Sequence, residues 1–141
     1  MRGYLLDTNH LTFAINPVSH LRERLLQARR AGFRIGTCVP VLCELEVGIR
    51  QASRPDASYR ALHHLLREMK LWPIDEGLAP LYADVYGEPR RQGRVLSQVD
   101  IMLAALVRLM KLTLLTSDRD FEALPDIPTE NWIVDNNGAT R

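Results

Sequence analysis

Short apolar runs alternate with stretches of helical period along the whole chain, and few folds accommodate that pattern. The segments "YLL" (4–6), "FRIG" (33–36), "LWPI" (71–74), "LTLLT" (112–116) and "NWIV" (131–134) read as strands. The continuous apolar character of 4–6 and 112–116 is that of strands buried on both faces of a parallel sheet. Between the strands, "SHLRERLLQARRAG" puts Leu21, Leu25 and Ala28 on one stripe and ends at Gly32. Pro40 suits the first turn of a helix through "PVLCELEVGIRQA", and a third helix, about 56–70, carries Leu62, Leu65, Leu66 and Met69. "DEGLAPLYADVYGEPRRQG" reads as a helix interrupted or ended near Pro89. "SQVDIMLAALVRLM" is apolar around most of its circumference and is therefore packed on several sides, and "SDRDFEAL" is a turn with a short helix. This alternation predicts an α/β fold with a mostly parallel sheet.

A chain of 141 residues, 46% hydrophobic, is the size of one domain, which we expect over 1–141 with a polar tail at about 135–141. A net charge of +1 neither requires nor excludes a nucleic-acid partner, so the distribution of charge must decide. The longest apolar run, "IMLAALV" at 101–107, is far short of a membrane span. No targeting segment is visible, and the expected location is the cytoplasm. Cys38 and Cys43 match neither a zinc motif nor a disulfide framework and are expected to be buried, reduced thiols.

In a parallel sheet, ligands bind outside the carboxyl ends of the strands. Asp7 ends the first strand and Asp118 follows "LTLLT", so two acids far apart in sequence can face one crevice. Either can equally be an N-cap. Glu44 lies near the start of a helix, where its charge also suits the macrodipole, and Gly48 one turn on suggests close approach of another element. Ser97 to Asp100 resembles a capping box with Asp in place of the usual Glu or Gln, yet an acid at the mouth of a buried helix is costly to desolvate. Four carboxylates gathered without a cation repel one another. A hard divalent cation, Mg²⁺ or Mn²⁺, removes that conflict with oxygen ligands and retained waters.

The motifs "LLDTN" (5–9), "CELEVG" (43–48), "VDIMLAA" (99–105), "LLTSDRDF" (114–121) and "ENW" (130–132), in this order over nearly the whole chain, resemble a PIN-domain ribonuclease. They are most similar to the VapC-type toxin of VapBC toxin–antitoxin modules. The resemblance implies a three-layer α/β/α sandwich, an acidic cluster of Asp7, Glu44, Asp100 and Asp118 holding Mg²⁺ or Mn²⁺, and Asp120 as an auxiliary acid. Thr8, Asn9 and Ser117 would stand beside the acids, with Thr8 and Asn9 orienting the first of them or a bound water. RNA hydrolysis would use a metal-activated water and leave 5′-phosphate and 3′-hydroxyl ends. A small antitoxin and a second copy of the chain are the protein partners it implies. His10 departs from the pattern, and we expect it to cap or pack; lining the crevice, it would contact a phosphate.

Substrate RNA needs positive charge. Arg90, Arg91 and Arg94 lead towards Asp100 and are the favoured contacts, against a plain reading as compensation of a helix C-terminus. Arg22, Arg24, Arg29 and Arg30 read as a solvated face. Asn9 stands where a haloacid-dehalogenase-type site needs a second acid, and no receiver-like acid pair is present. A non-catalytic RNA- or partner-binding module on the same scaffold is the remaining alternative.

Overall fold

A computed structural model of the chain describes residues 2–133. Its strands are β1 (Gly3–Leu6), β2 (Arg34–Cys38), β3 (Lys70–Trp72), β4 (Thr113–Leu115) and β5 (Thr129–Glu130). Its helices are α1 (Thr8–Ala14), α2 (Leu21–Arg30), α3 (Val39–Arg50), α4 (Pro55–Leu66), α5 (Leu78–Arg91) and α6 (Gln98–Met110), with a 3₁₀ turn over Arg119–Ala123. All strand pairs are parallel and the order is β3-β2-β1-β4-β5. Right-handed crossovers in that order put α1 to α4 on one face of the sheet and α5 and α6 on the other, which is the expected three-layer sandwich.

The burial follows the sequence pattern. Leu5, Leu6, Leu114 and Leu115 have no exposed surface, each contributing about 1.5–3 kcal/mol of apolar burial. Helix α6 buries Ile101, Leu103, Ala104, Ala105, Leu106 and Val107, almost a full circumference, because it lies between the sheet and α5. The apolar segments of α4 and α5 also serve the core, through Leu62 and Leu65 and through Leu78 and Val85. Gly36 is required by contact: a Cβ there would lie 2.5 Å from both the Lys70 carbonyl and the Trp72 ring. Gly32 ends the turn after α2 at φ +98°, which an L side chain resists.

Helix α5 ends near Pro89 as expected, at Arg91, with the proline inside its last turn. Several expectations are corrected. Gly48 answers no close neighbour, since a Cβ there would meet nothing within 4 Å. Cys38 is buried, and desolvation pushes its thiol up to about 11, but Cys43 is exposed; both are free. The last strand lies at Thr129–Glu130, ahead of the expected 131–134. The ladder to β4 ends with Thr116 N–H on the Glu130 carbonyl, and Asn131 Oδ1 then accepts Ile133 N–H and bends the chain away. Residue 134 and the expected tail at 135–141 lie outside the described residues. Among the described residues, no helix is long and apolar enough to cross a membrane.

Candidate active site

The order β3-β2-β1-β4-β5 reverses direction between β1 and β4, and that reversal opens a crevice at the carboxyl edge of the sheet. Asp7 follows β1 there and Asp118 follows β4, while the Asp7 N–H donates to the Leu115 carbonyl at 3.1 Å and ties the two strand ends together. Helix α3 leaves β2 at the same edge and carries Glu44. Helix α6 runs back against β4, so its first turn, with Asp100, returns to that edge as well. Parallel topology thus gathers acids separated by up to 111 positions (118 − 7).

Asp100 records the convergence. Burial chiefly raises its carboxyl from 3.8 to about 6; the hydrogen bond with Ser97 opposes this, and the charges of Asp118, Glu44 and Asp7 add to the rise. Asp120 is not among the groups acting on it.

Each acid also has a local duty. Asp7 is N-cap of α1, its Oδ1 accepting His10 N–H at 2.8 Å. Asp118 caps the 3₁₀ turn, with Oδ1 on Asp120 N–H at 2.8 Å. Glu44 Oε1 accepts the Thr8 hydroxyl at 2.5 Å. Ser97 Oγ accepts Asp100 N–H at 3.1 Å, so the capping half of the Ser97 to Asp100 motif is present. Capping and site readings therefore coexist, because a carboxylate has two oxygens and each cap uses one.

The neighbours of the acids differ in part from expectation. Thr8 reaches Glu44 rather than Asp7, and Asn9 is exposed and makes no hydrogen bond to Asp7 among the described residues. Ser117 lines a cavity of about 530 Å³ with Asp118, but it is Thr116 that fixes Asp118, its Oγ1 accepting Asp118 N–H at 3.0 Å. His10 is fully buried and packs as expected, with its ring nitrogens on Asp7 and Trp132. Nothing local to "TSD" marked Thr116 except the short polar side chain two positions ahead of an acid, a common turn signal.

All four acids present oxygen donors, the chemistry that fits a hard divalent cation. Among the described residues, however, no three His, Cys, Asp or Glu side chains are drawn close enough to hold a metal ion between them. Asp7, Glu44 and Asp118 each keep one oxygen on a local partner and Asp100 is held to Ser97, so the acids share electrostatic reach without forming a closed cage. A cation that retains most of its waters needs only one or two of them as direct ligands.

The connection from α5 to α6, residues 92–97, leads to the helix start that carries Asp100. Helix α5 packs along α6, and Glu88 in its last turn meets Arg108 in the last turn of α6, at the end away from Asp100. Arg90 stacks over Tyr86 at 4.2 Å, Arg91 lies over Gly87, and Arg94 is exposed in the connection. Of the other arginines, Arg24 stacks on Trp132 at 4.2 Å and Arg29 pairs with Glu68 at 3.0 Å, so that cluster is more than a solvated face.

A doubly wound parallel sheet with acids from four elements at its switch point defines an α/β protein with an acidic crevice. The chain belongs to the PIN domain family, whose model matches residues 4–127. It is 25% identical over 132 residues to "Ribonuclease VapC2" of Rickettsia felis, covering 92% of this chain and 97% of that one. It is 32% identical over 101 residues to "Ribonuclease VapC4" of Mycobacterium tuberculosis, covering 70% and 78%. The crystal structure of DNA-bound VapBC from Salmonella typhimurium superposes with a TM-score of 0.81 at 26% identity, covering 94% of this chain and 100% of that chain.

Proposed function

We propose that Asp7, Glu44, Asp100 and Asp118 hold Mg²⁺ or Mn²⁺ and that the chain hydrolyses RNA as the toxin of a toxin–antitoxin module. The chain is a nuclease of the PIN family, as its ribonuclease relatives are named. The single observation carrying the site assignment is Asp100, whose carboxyl is raised chiefly by burial at the carboxyl edge and further by the charges of Asp118, Glu44 and Asp7 from three separate elements. A crevice that crowds carboxylates in this way is unfavourable unless a cation compensates them.

A divalent cation in this crevice supplies activation of water and compensation of charge on the phosphodiester. The chain's own residues do the rest. Asp7 and Asp118 keep their backbone caps on Oδ1 and offer Oδ2. Thr8 steadies Glu44, and Ser97 steadies Asp100. Arg90, Arg91 and Arg94, at the end of α5 and in the connection leading to Asp100, would supply positive charge for the RNA backbone. Addition of water across the P–O3′ bond leaves a 5′-phosphate and a 3′-hydroxyl. The partner that restrains this activity is a small antitoxin, in keeping with the Mycobacterium tuberculosis neighbour VapBC-5, a member of the VapBC family of toxin-antitoxin systems. Homodimerisation belongs to the same proposal.

The test is cleavage of total RNA by the purified chain with Mg²⁺, with Mn²⁺ and in excess EDTA, with the new 5′ ends mapped. Metal-dependent cuts bearing 5′-phosphate are expected. Undiminished cleavage in EDTA overturns the metal assignment, and RNA binding without cleavage under every condition supports the non-catalytic alternative.

A further inference from the structure

Asp7 Oδ1 accepts two bonds, from the His10 backbone N–H at 2.8 Å and from His10 Nδ1 at 3.1 Å. The first is all that an N-cap needs. The second comes from a ring with no exposed surface. The other ring nitrogen, Nε2, lies 3.1 Å from the backbone nitrogen of Trp132, 122 positions away in sequence. A backbone amide only donates, so Nε2 is the acceptor and the ring proton sits on Nδ1, facing the carboxylate.

Trp132 is itself fixed. Its indole N–H donates to Glu130 Oε1 at 3.0 Å, its ring lies 4.8 Å from that of Tyr4, and Arg24 stacks on it. The Glu130 carbonyl accepts Thr116 N–H at 3.0 Å, and Thr116 Oγ1 accepts Asp118 N–H at 3.0 Å. A continuous path of bonded residues therefore runs from Asp7 through His10, Trp132, Glu130 and Thr116 to Asp118. It joins the acids on the two sides of the sheet's switch point.

We infer that His10 is a positioning residue: held by Trp132, its ring fixes the Asp7 carboxylate through Oδ1 and leaves Oδ2 for the cation. The inference rests on the proposed role of Asp7 as a ligand. Groups that orient a ligating carboxylate are worth about 10- to 100-fold in metal affinity or activity. Here the orienting group is anchored by the segment that follows β5, so the first acid depends on β5 and the turn after it being in place.

Two substitutions separate the two bonds. His10→Asn keeps a donor where Nδ1 stands and is too short to reach Trp132. His10→Gln reaches Trp132 with an acceptor and gives Asp7 no ring donor. Mn²⁺ binding, followed by electron paramagnetic resonance, is expected to be about 10- to 100-fold weaker in His10→Gln and nearer wild type in His10→Asn, with RNA cleavage in the same order. A packing role predicts the reverse ranking, because Gln preserves more of the ring's volume. Nitrogen-15 NMR of the unsubstituted chain gives the tautomer directly, and Nδ1–H is expected whether or not either variant folds. An Nε2–H tautomer, equal Mn²⁺ affinities or the reverse ranking overturns the inference. A wild-type chain that binds no Mn²⁺ overturns this and the proposed metal site together. One that cleaves RNA while both variants bind Mn²⁺ as it does overturns the positioning role alone.

Discussion

Replacing Asp100 by Asn removes one charge from the crowded crevice and leaves the backbone cap intact, because Ser97 Oγ accepts the backbone N–H of residue 100; only the hydrogen bond between Ser97 and the carboxyl changes with the charge. The rise of the Asp100 carboxyl from 3.8 to about 6 bounds the cost of ionising it in the fold at about 3 kcal/mol, at about 1.4 kcal/mol per pH unit. Asp100 is only half-buried, and solvent screening brings the expected effect to about 1 kcal/mol. Between pH 4 and 6 the folded chain holds a proton on Asp100 that the unfolded chain has released. This contribution is therefore complete below about pH 4 and is lost as pH rises through about 6. In EDTA at pH 7, Asp100→Asn should then be more stable than wild type by about 1 kcal/mol, or about 3 °C in Tm for a chain of this size. The difference should vanish near pH 4. In Mg²⁺ the order should reverse, because the ion stabilises the wild type by binding its folded state, and RNA cleavage by the variant should be lost. Melts at the two pH values, in EDTA and in Mg²⁺, run beside a cleavage assay, measure all of this. A variant that is less stable in EDTA and still cleaves RNA would refute the reasoning, since Asp100 would then be a helix-start charge and nothing more.

Replacing Arg90, Arg91 and Arg94 together by Ala should weaken RNA binding and flatten its dependence on salt, because phosphate contacts release counterions; filter binding over a salt series checks this, and an unchanged slope places the RNA path elsewhere. Arg108 links α6 to α5 and to the turn after the 3₁₀ segment, through paired bonds of 2.9 and 3.2 Å to Glu88 and 2.8 and 2.9 Å to Asp126, with 18% of its side chain exposed. Arg108→Ala leaves two acids facing each other without their cation and should cost about 2 kcal/mol in urea unfolding; a loss near zero would mean that solvent already screens the network.

The neighbourhood of the acids was legible in the sequence to different depths. Asp7 and Asp118 offered two competing signals, a cap and a site; the fold uses Oδ1 of each as a cap and leaves Oδ2 for the proposed cation. Asp100 was legible as a charge out of place at a buried helix, and its neighbours supply the reason. Gly48 misled, because a glycine is equally compatible with a close neighbour and with open surface, and only packing separates the two. Cys43 misled for the same reason: position 43 follows from the helical period, but which face of α3 is covered depends on what packs there.

What the sequence determined by itself was the order and type of the elements and the edge at which the acids stand. Period-2 and period-3.6 patterning, Pro40 at a helix start and Gly32 after a helix end act over a few residues, and parallel topology then sends every strand end to the same side. What only the tertiary structure decided was how that edge is held. Strand β5 stops at Glu130, Asn131 Oδ1 accepts Ile133 N–H and turns the chain, and the amide of buried Trp132 meets His10. No local pattern encodes a bond between residues 122 positions apart. It exists because a buried amide must find an acceptor, and the folded sheet brings the His10 ring within reach.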